Sequence, residues 1–357
     1  MILAACTYST PFSDCAVHCA ADAECPEGLA CGDEGLCRTA GVIPTCRTIL
    51  GDAGSDAADA TFPSCTGLSA TCGPAGTADC CTSPSVTGGS FFRSYDIASD
   101  GMYPSTSYPA TVSAFRLDKY EVTVGRFRQF VEAGMGTQLN PPAAGTGAHV
   151  RIAGSGWDAS WNGSLVANTA ALTAAVKCDP AHQTWTDAMG ANESLPMNCI
   201  DWYEAMAFCA WDGGYLPSES EWNYAAAGGS EQRAYPWSSP AGSTVIDCSY
   251  ANYNNGSACV DPPNGGVNRV GSTSPKGDGL WGQAGLAGGV LEWVLDGDGA
   301  YPNPCGDCAS LTNMLNRIIR GGSFIYDASF QRGATRKAIA VAFHGGDIGA
   351  RCARSVP

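Results

Sequence analysis

The sequence predicts a mixed α+β domain, rich in loops, preceded by small disulfide-rich modules. Three observations carry this expectation: 45 glycines in 357 residues, 19 cysteines that fall into sets, and three short amphipathic segments with their own start and stop signals. So much glycine, among frequent Pro, Ser and Asn, makes long irregular connections around a small helix and sheet core. No internal repeat is visible.

In chain order, residues 1–6 end in Leu3-Ala4-Ala5-Cys6, which resembles the lipobox of bacterial lipoproteins, whose cysteine carries diacylglycerol after cleavage. Five residues are too few for a charged n-region and an apolar h-region, so the start is expected inside a longer signal peptide. The other reading, a Cys6 that pairs with a neighbour or another chain, stays open. Residues 7–46 hold Cys15, Cys19, Cys25, Cys31, Cys37 and Cys46, a mini-module too small to be held by an apolar core alone. Residues 47–64 read as a flexible linker. Residues 65–83 form a second staple with Cys65, Cys72, Cys80 and Cys81. One large domain is expected over residues 84–357, a length at which a single core still suffices.

Within that domain a first helix starts after Thr123, buries Phe127, Phe130 and Val131, and ends near Gly134. A second is capped by the Asp201 and Glu204 box, repeats Trp202, Ala205, Met206 and Cys209 at i, i+3, i+4 and i+7, and stops at Gly213-Gly214. A third has the Ser218 and Glu221 capping box, the apolar pair Leu216 and Trp222 as a hydrophobic staple, and Gly228-Gly229 as its stop. Extended runs such as residues 317–319 are short.

Nineteen cysteines in an acidic chain point to disulfides and an exported protein, because a reducing cytosol would leave so many thiols free. The sets of six, four and, from Cys178 onward, eight are all even, and Cys6 is left over. No run of eighteen apolar residues exists, so a membrane is expected only through a lipid on Cys6. The net charge of −15 argues against a nucleic-acid partner. The balance is uneven: residues 317–357 carry seven basic side chains against two acidic ones, +5, which leaves −20 for the rest.

Residues 317–354 read RIIRGGSFIYDASFQRGATRKAIAVAFHGGDIGARCAR. With TVSAFRLDKYEVTVGRFRQFVEAG at 111–134, NCIDWYEAMAFCAWDGGYLPSESEWNYAAAGG at 198–229, Tyr235-Pro236-Trp237 and GLAGGVLEW at 285–293, the chain resembles the formylglycine-generating enzyme, or sulfatase-modifying-factor, family. The resemblance covers about the last three quarters of the chain and implies a C-type-lectin-like fold. Catalytic members carry two copper-binding thiols at the fifth and tenth residues after the first glycine of this Gly-Gly-Ser. Here those places hold Tyr326 and Gln331. Copper(I) selects soft thiolates, which a phenol and a carboxamide cannot replace, so copper and formylglycine formation are not expected.

The resemblance implies more. It places calcium on the loop 285–292 through a side-chain oxygen, the carbonyls of Gly288 and Val290, and Glu292; hard oxygens suit that ion. Gly285 removes the first of these ligands. A second ion would use Asn252 and the carbonyl of Tyr253. For the disulfides, the family bonds the cysteine matching Cys352 to one upstream of the helix pair, and the usual partner of Cys209 is replaced by Arg336. This implies Cys178–Cys352 and Cys199–Cys209, with Cys248–Cys259 and Cys305–Cys308 as local loops. Cys305-Gly306-Asp307-Cys308 also has redox or zinc spacing, but the exported context favours the loop.

In the family the segment after Gly321-Gly322-Ser323 lines a peptide groove. Ser323, Tyr326, Phe330, Gln331, Arg332 and Arg336 are therefore the candidate ligand-binding residues. Aromatic faces with arginine forks suit an anionic saccharide or an acidic peptide. The competing reading pairs these arginines internally. Ser323, His344 and Asp347 can be written as a catalytic triad, but sets of this kind arise by chance among so many serines. The expected function is a copper-free, exported and lipid-anchored binding module. Its rivals are an enzyme of the same fold using another site, and a display scaffold.

Overall fold

The computed structural model describes residues 29–31, 37–39, 62–256, 259, 266–313 and 315–356. The chain divides into two compact units, Met1–Ala60 and Thr61–Pro357. In the first, β1 (Leu29–Cys31) pairs antiparallel with β2 (Cys37–Thr39), Cys31 opposite Cys37. Cys6 and the remainder of the six-cysteine set lie outside the described residues.

In the second unit three helices stand where the local code puts them. Helix α1 (Val124–Glu132) is capped by Thr123, whose side chain accepts from the Arg126 amide, and it buries Phe127, Phe130 and Val131. A short helix α2 (Thr169–Ala175), capped by Asn168, was not foreseen. Helix α3 (Trp202–Trp211) has the reciprocal Asp201 and Glu204 box, and α4 (Glu219–Ala226) the Ser218 and Glu221 box. The chain leaves α3 through Gly213 at φ 76° and α4 through Gly228 and Gly229 at φ 62° and 63°, left-handed geometry that favours glycine.

The main sheet has the order β10 (Ile348–Gly349), β7 (Leu291–Gly297), β8 (Asn316–Arg320), β9 (Lys337–Ala340). The β10–β7 pair is parallel and the others are antiparallel. Strand β7 is buried along its whole length. Alternation sends Leu291, Trp293 and Leu295 into the cluster that holds α1 and α3, and Val294 into the one that holds α4. Its neighbour Ile319 joins the first cluster and Ile318 the second. The buried indoles are satisfied across this interface, Trp202 Nε1 by the Val294 carbonyl and Trp293 Nε1 by that of Ile200, both at 2.9 Å. A smaller sheet of β3 (Ser85–Val86), β6 (Phe115–Leu117) and β11 (Ala353–Ser355), and a hairpin of β4 (Gly89–Phe92) and β5 (Pro109–Val112), complete the unit.

All twelve cysteines of the second unit are paired. Cys65–Cys81 and Cys72–Cys80 close the N-terminal staple. Cys248–Cys259 and Cys305–Cys308 are the local loops the resemblance implied. The other two bonds correct the expectation: they are Cys178–Cys199 and Cys209–Cys352, not Cys178–Cys352 and Cys199–Cys209. Tyr215, just beyond α3, exchanges both backbone hydrogen bonds with Ala353, at 2.9 and 2.8 Å. That ladder lays Cys352 beside the last turn of α3, with the Cys209 and Cys352 Cα atoms 5.4 Å apart. Asn198, meanwhile, ties its own segment to the one after Cys178 through the His182 carbonyl and the Thr184 amide. Loss of one family partner at Arg336 therefore did not free Cys209 for a local bond.

Candidate functional site

The turn after β8 requires glycine. Gly321 and Gly322 have φ 102° and 67°, and a Cβ on Gly322 would stand 2.3 Å from Gln331 Oε1. Beyond it, the buried Gln331 donates from Nε2 to the carbonyls of Ser323, Tyr326 and Asp327 at 3.0–3.2 Å. Gln331 is thus the internal brace of this loop and is not exposed on a ligand surface. At the two positions where the resemblance requires thiolates stand a phenol and this bound carboxamide. Every cysteine of Thr61–Pro357 is in a disulfide, so none of these is a thiolate that could hold copper(I). Ser323 is also buried, its Oγ donating to Asp347 Oδ2 at 2.9 Å. The written triad is not assembled, because His344 turns its Nε2 to Glu204 at 3.1 Å.

The C-terminal arginines are consumed inside the fold, which corrects their expected role. Arg332 is 3 % exposed and ion-paired with Asp96 at 2.9 Å and with Asp100. Arg336 meets Glu219 at 2.7 Å and Asp298 at 3.8 Å, over the Tyr301 ring. Arg320 shares Glu219 at 2.6 Å. Arg351 pairs with Glu292, and Arg354 with Asp118 and Asp212. Arg317 lies on the Trp202 ring with its centre 3.8 Å away. Buried acids require such partners, and the acidic body of the chain supplies the carboxylates.

Lys337 is the exception. Its Nζ lies 3.8 Å from the Tyr326 ring centre and 4.8 Å from that of Phe330, and no described carboxylate forms an ion pair with it. Tyr326 and Phe330 pack at 4.9 Å and are half-buried. Of the six candidate ligand residues, Tyr326, Phe330 and Arg336 are partly exposed; the two rings touch each other and Lys337, while Arg336 is held in its ion pairs.

The calcium loops fare differently. Glu292 is fully buried and both its oxygens are engaged: Oε1 by Arg351 at 2.6 Å, Oε2 by Arg351 at 2.7 Å and by the Trp222 indole at 2.7 Å. Gly285 brings no oxygen, and the Glu121 carboxylate fills its side-chain space, 2.4 Å from where a Cβ would be. Burial raises the Glu121 carboxyl to about 7; Arg351 opposes this and Glu292 adds to it. Gly288 and Val290 stay in place, the Gly288 amide bonded to the Gly321 carbonyl and Val290 buried. Arg351 and the Trp222 indole thus already occupy the oxygens that Glu292 brings to this loop. At Asn252, in contrast, Oδ1 is buried without a partner while Nδ2 is held by the Gly266 carbonyl at 2.8 Å. With the buried Tyr253 beside it, this loop keeps a free hard oxygen, the donor type that calcium takes.

A second polar cluster escaped the sequence reading. Asp201 and Glu204 were visible as a capping box, but His344 joins them from 140 residues away. Burial, then the Glu204 charge, pushes the Asp201 carboxyl up to about 8. Burial pulls His344 down, but the Glu204 hydrogen bond and charge outweigh it and lift the imidazole to about 9. No linear spacing signals this group.

Comparison with known proteins agrees with the geometry. The sulfatase-modifying factor enzyme 1-like domain family matches residues 70–356. The formylglycine-generating enzyme of Streptomyces coelicolor is 29% identical over 256 residues, covering 67% of this chain and 77% of that protein. An inactive C-alpha-formylglycine-generating enzyme 2 from Bos taurus is 30% identical over 138 residues, 38% of this chain and 41% of its own. Among solved structures, PvdO from Pseudomonas aeruginosa aligns with a TM-score of 0.52 at 19% identity, over 76% of this chain and 93% of that one. Treponema denticola variable protein 1 aligns with a TM-score of 0.50 at 18% identity, over 77% and 95%. These two likenesses concern the fold alone.

Proposed function

The chain belongs to the sulfatase-modifying factor enzyme 1-like domain family, and from that premise we propose that it is a copper-free member that binds a ligand and does not oxidise cysteine. One observation carries this reading: the two thiolate positions hold Tyr326 and a Gln331 locked onto three carbonyls. Two relatives are named inactive C-alpha-formylglycine-generating enzyme 2, which supports the absence of oxidation in this reading. The ligand surface is the Tyr326–Phe330 pair with Lys337, which suits an acidic saccharide or an acidic peptide: rings for apolar faces, one ammonium for the anion. If calcium binds, it belongs at Asn252 and Tyr253, not at Glu292.

The disulfides assign the chain to an oxidising compartment outside the cytosol. No helix among the described residues is long and apolar enough to cross a membrane. Attachment through a lipid on Cys6 is the anchoring this reading includes, and mass spectrometry of the N-terminal peptide from a native envelope tests it. For the ligand, an array of anionic glycans and acidic peptides should give hits that Lys337→Ala and Tyr326→Ala weaken about tenfold. For the chemistry, copper-supplied protein should leave a C-x-P-x-R peptide unchanged by mass spectrometry. Appearance of the aldehyde would overturn the reading.

A further inference from the structure

We propose that Asp201, Glu204 and His344 form a binding site for a divalent cation of the zinc class, independent of the ligand surface described above. The three side chains each offer a donor atom, and these atoms lie within 4.8 Å of one another. Zinc takes imidazole nitrogen and carboxylate oxygen at about 2.0–2.2 Å, so three such donors around one ion stand roughly 3–3.5 Å apart. The Glu204 carboxylate already lies beside the imidazole, its Oε2 hydrogen-bonded to His344 Nε2 at 3.1 Å. Small side-chain rotations bring in the third.

An oxygen is waiting for the ion. Glu204 is 1 % exposed; its Oε2 accepts from the Asp201 amide at 3.1 Å and from His344, whereas Oε1 is buried with no partner. A cation on Oε1 would leave the helix cap intact. Asp201 accepts from the Glu204 amide at 2.9 Å through Oδ1 and keeps its second oxygen for a metal. No lysine or arginine among the described residues pairs with either acid, so once His344 and Asp201 have given up their protons two carboxylates and a neutral imidazole present −2 to a dication.

The frame is stiff. The Trp202 amide bonds the Val341 carbonyl at 3.1 Å, and the Cys199 amide bonds that of Gly345 at 3.0 Å. Cys199 itself is bonded to Cys178. The loop carrying His344 is thereby sewn to the start of α3 on both sides of the histidine. The His344 side chain is 23% exposed, which provides an entry path and leaves a fourth coordination position for water. Binding would release the Nε2 proton of His344, and that of Asp201 where present, to solvent.

The test uses the purified full chain with its disulfides intact, in excess calcium so that hard-oxygen sites do not report. Zinc titration by calorimetry should give one equivalent, with proton release seen as a dependence on buffer ionisation enthalpy. Cobalt in place of zinc should give visible absorption. His344→Ala and His344→Gln should each lower zinc affinity roughly a hundredfold or more while near-ultraviolet circular dichroism stays unchanged. His182→Ala, which removes the exposed Asp179 and His182 pair, should bind zinc as the parent does. The proposal is overturned if the parent binds no zinc, if both His344 variants bind as well as the parent, or if His182→Ala is the variant that loses the ion.

Discussion

Two helices of this protein begin with the same device, a capping box whose glutamate also meets a histidine, and only one of the two is closed. At α4 the cap is a neutral serine. Glu221 accepts from the Ser218 amide through Oε2 at 2.8 Å, and from Tyr215 and His149 through Oε1 at 3.0 and 3.1 Å. His149 is buried. At α3 the cap is a second carboxylate, one oxygen of Glu204 has no partner, and the histidine reaches solvent. The same local rule therefore ends in a satisfied structural network in one place and, in the other, in an accessible one that leaves a Glu204 oxygen without a partner. A buried carboxylate oxygen without a partner needs a reason to persist, and a bound cation is one.

The largest expected effect separates the boxes by stability. Glu221→Ala strands a buried phenol and a buried imidazole as well as a cap, and should cost about 3 kcal/mol in urea unfolding. Glu204→Ala in metal-free protein also relieves repulsion with Asp201, so its cost should be nearer 1 kcal/mol. Equal costs would erase the comparison. Next comes the ion: zinc at a hundredfold over its dissociation constant should stabilise the parent by about 2.7 kcal/mol. His344→Ala should lose that gain, while a His149→Ala protein, though weakened, should keep it.

The α4 start also leans on Asp296, which accepts from the Glu219 and Ser310 amides, both at 2.7 Å. Burial, then the Glu219 charge, raises its carboxyl from 3.8 to about 7. A native pKa above the unfolded one gives stability that is fully present below pH 3.8 and lost as pH rises through about 7. Asp296→Asn should therefore flatten the stability profile between pH 4 and 7, whatever it does to absolute stability. A slope equal to the parent's would place that titration elsewhere. The smallest effect belongs to the ligand surface: Lys337→Ala should leave stability within about 0.5 kcal/mol of the parent, because no described ion pair is lost.

What could be read from the sequence alone was local. The caps at Thr123, Asp201 and Ser218 and the glycine stops after them each concern atoms a few residues apart, and the structure has them. The same holds for the short Cys305–Cys308 loop, and the proposal of a copper-free site needs only the residue types at 326 and 331. Tertiary structure decided what depends on distant segments meeting. Cys209 finds Cys352 across 143 residues because β11 lies along the chain leaving α3. Arg332 is removed from any ligand surface by Asp96, 236 residues away. His344 becomes part of a candidate metal site only because its loop is laced to the start of α3. Hydrogen bonds within one turn follow from the order of neighbouring residues, whereas pairings over a hundred residues follow from sheet register and packing, which no short stretch of this sequence encodes by itself.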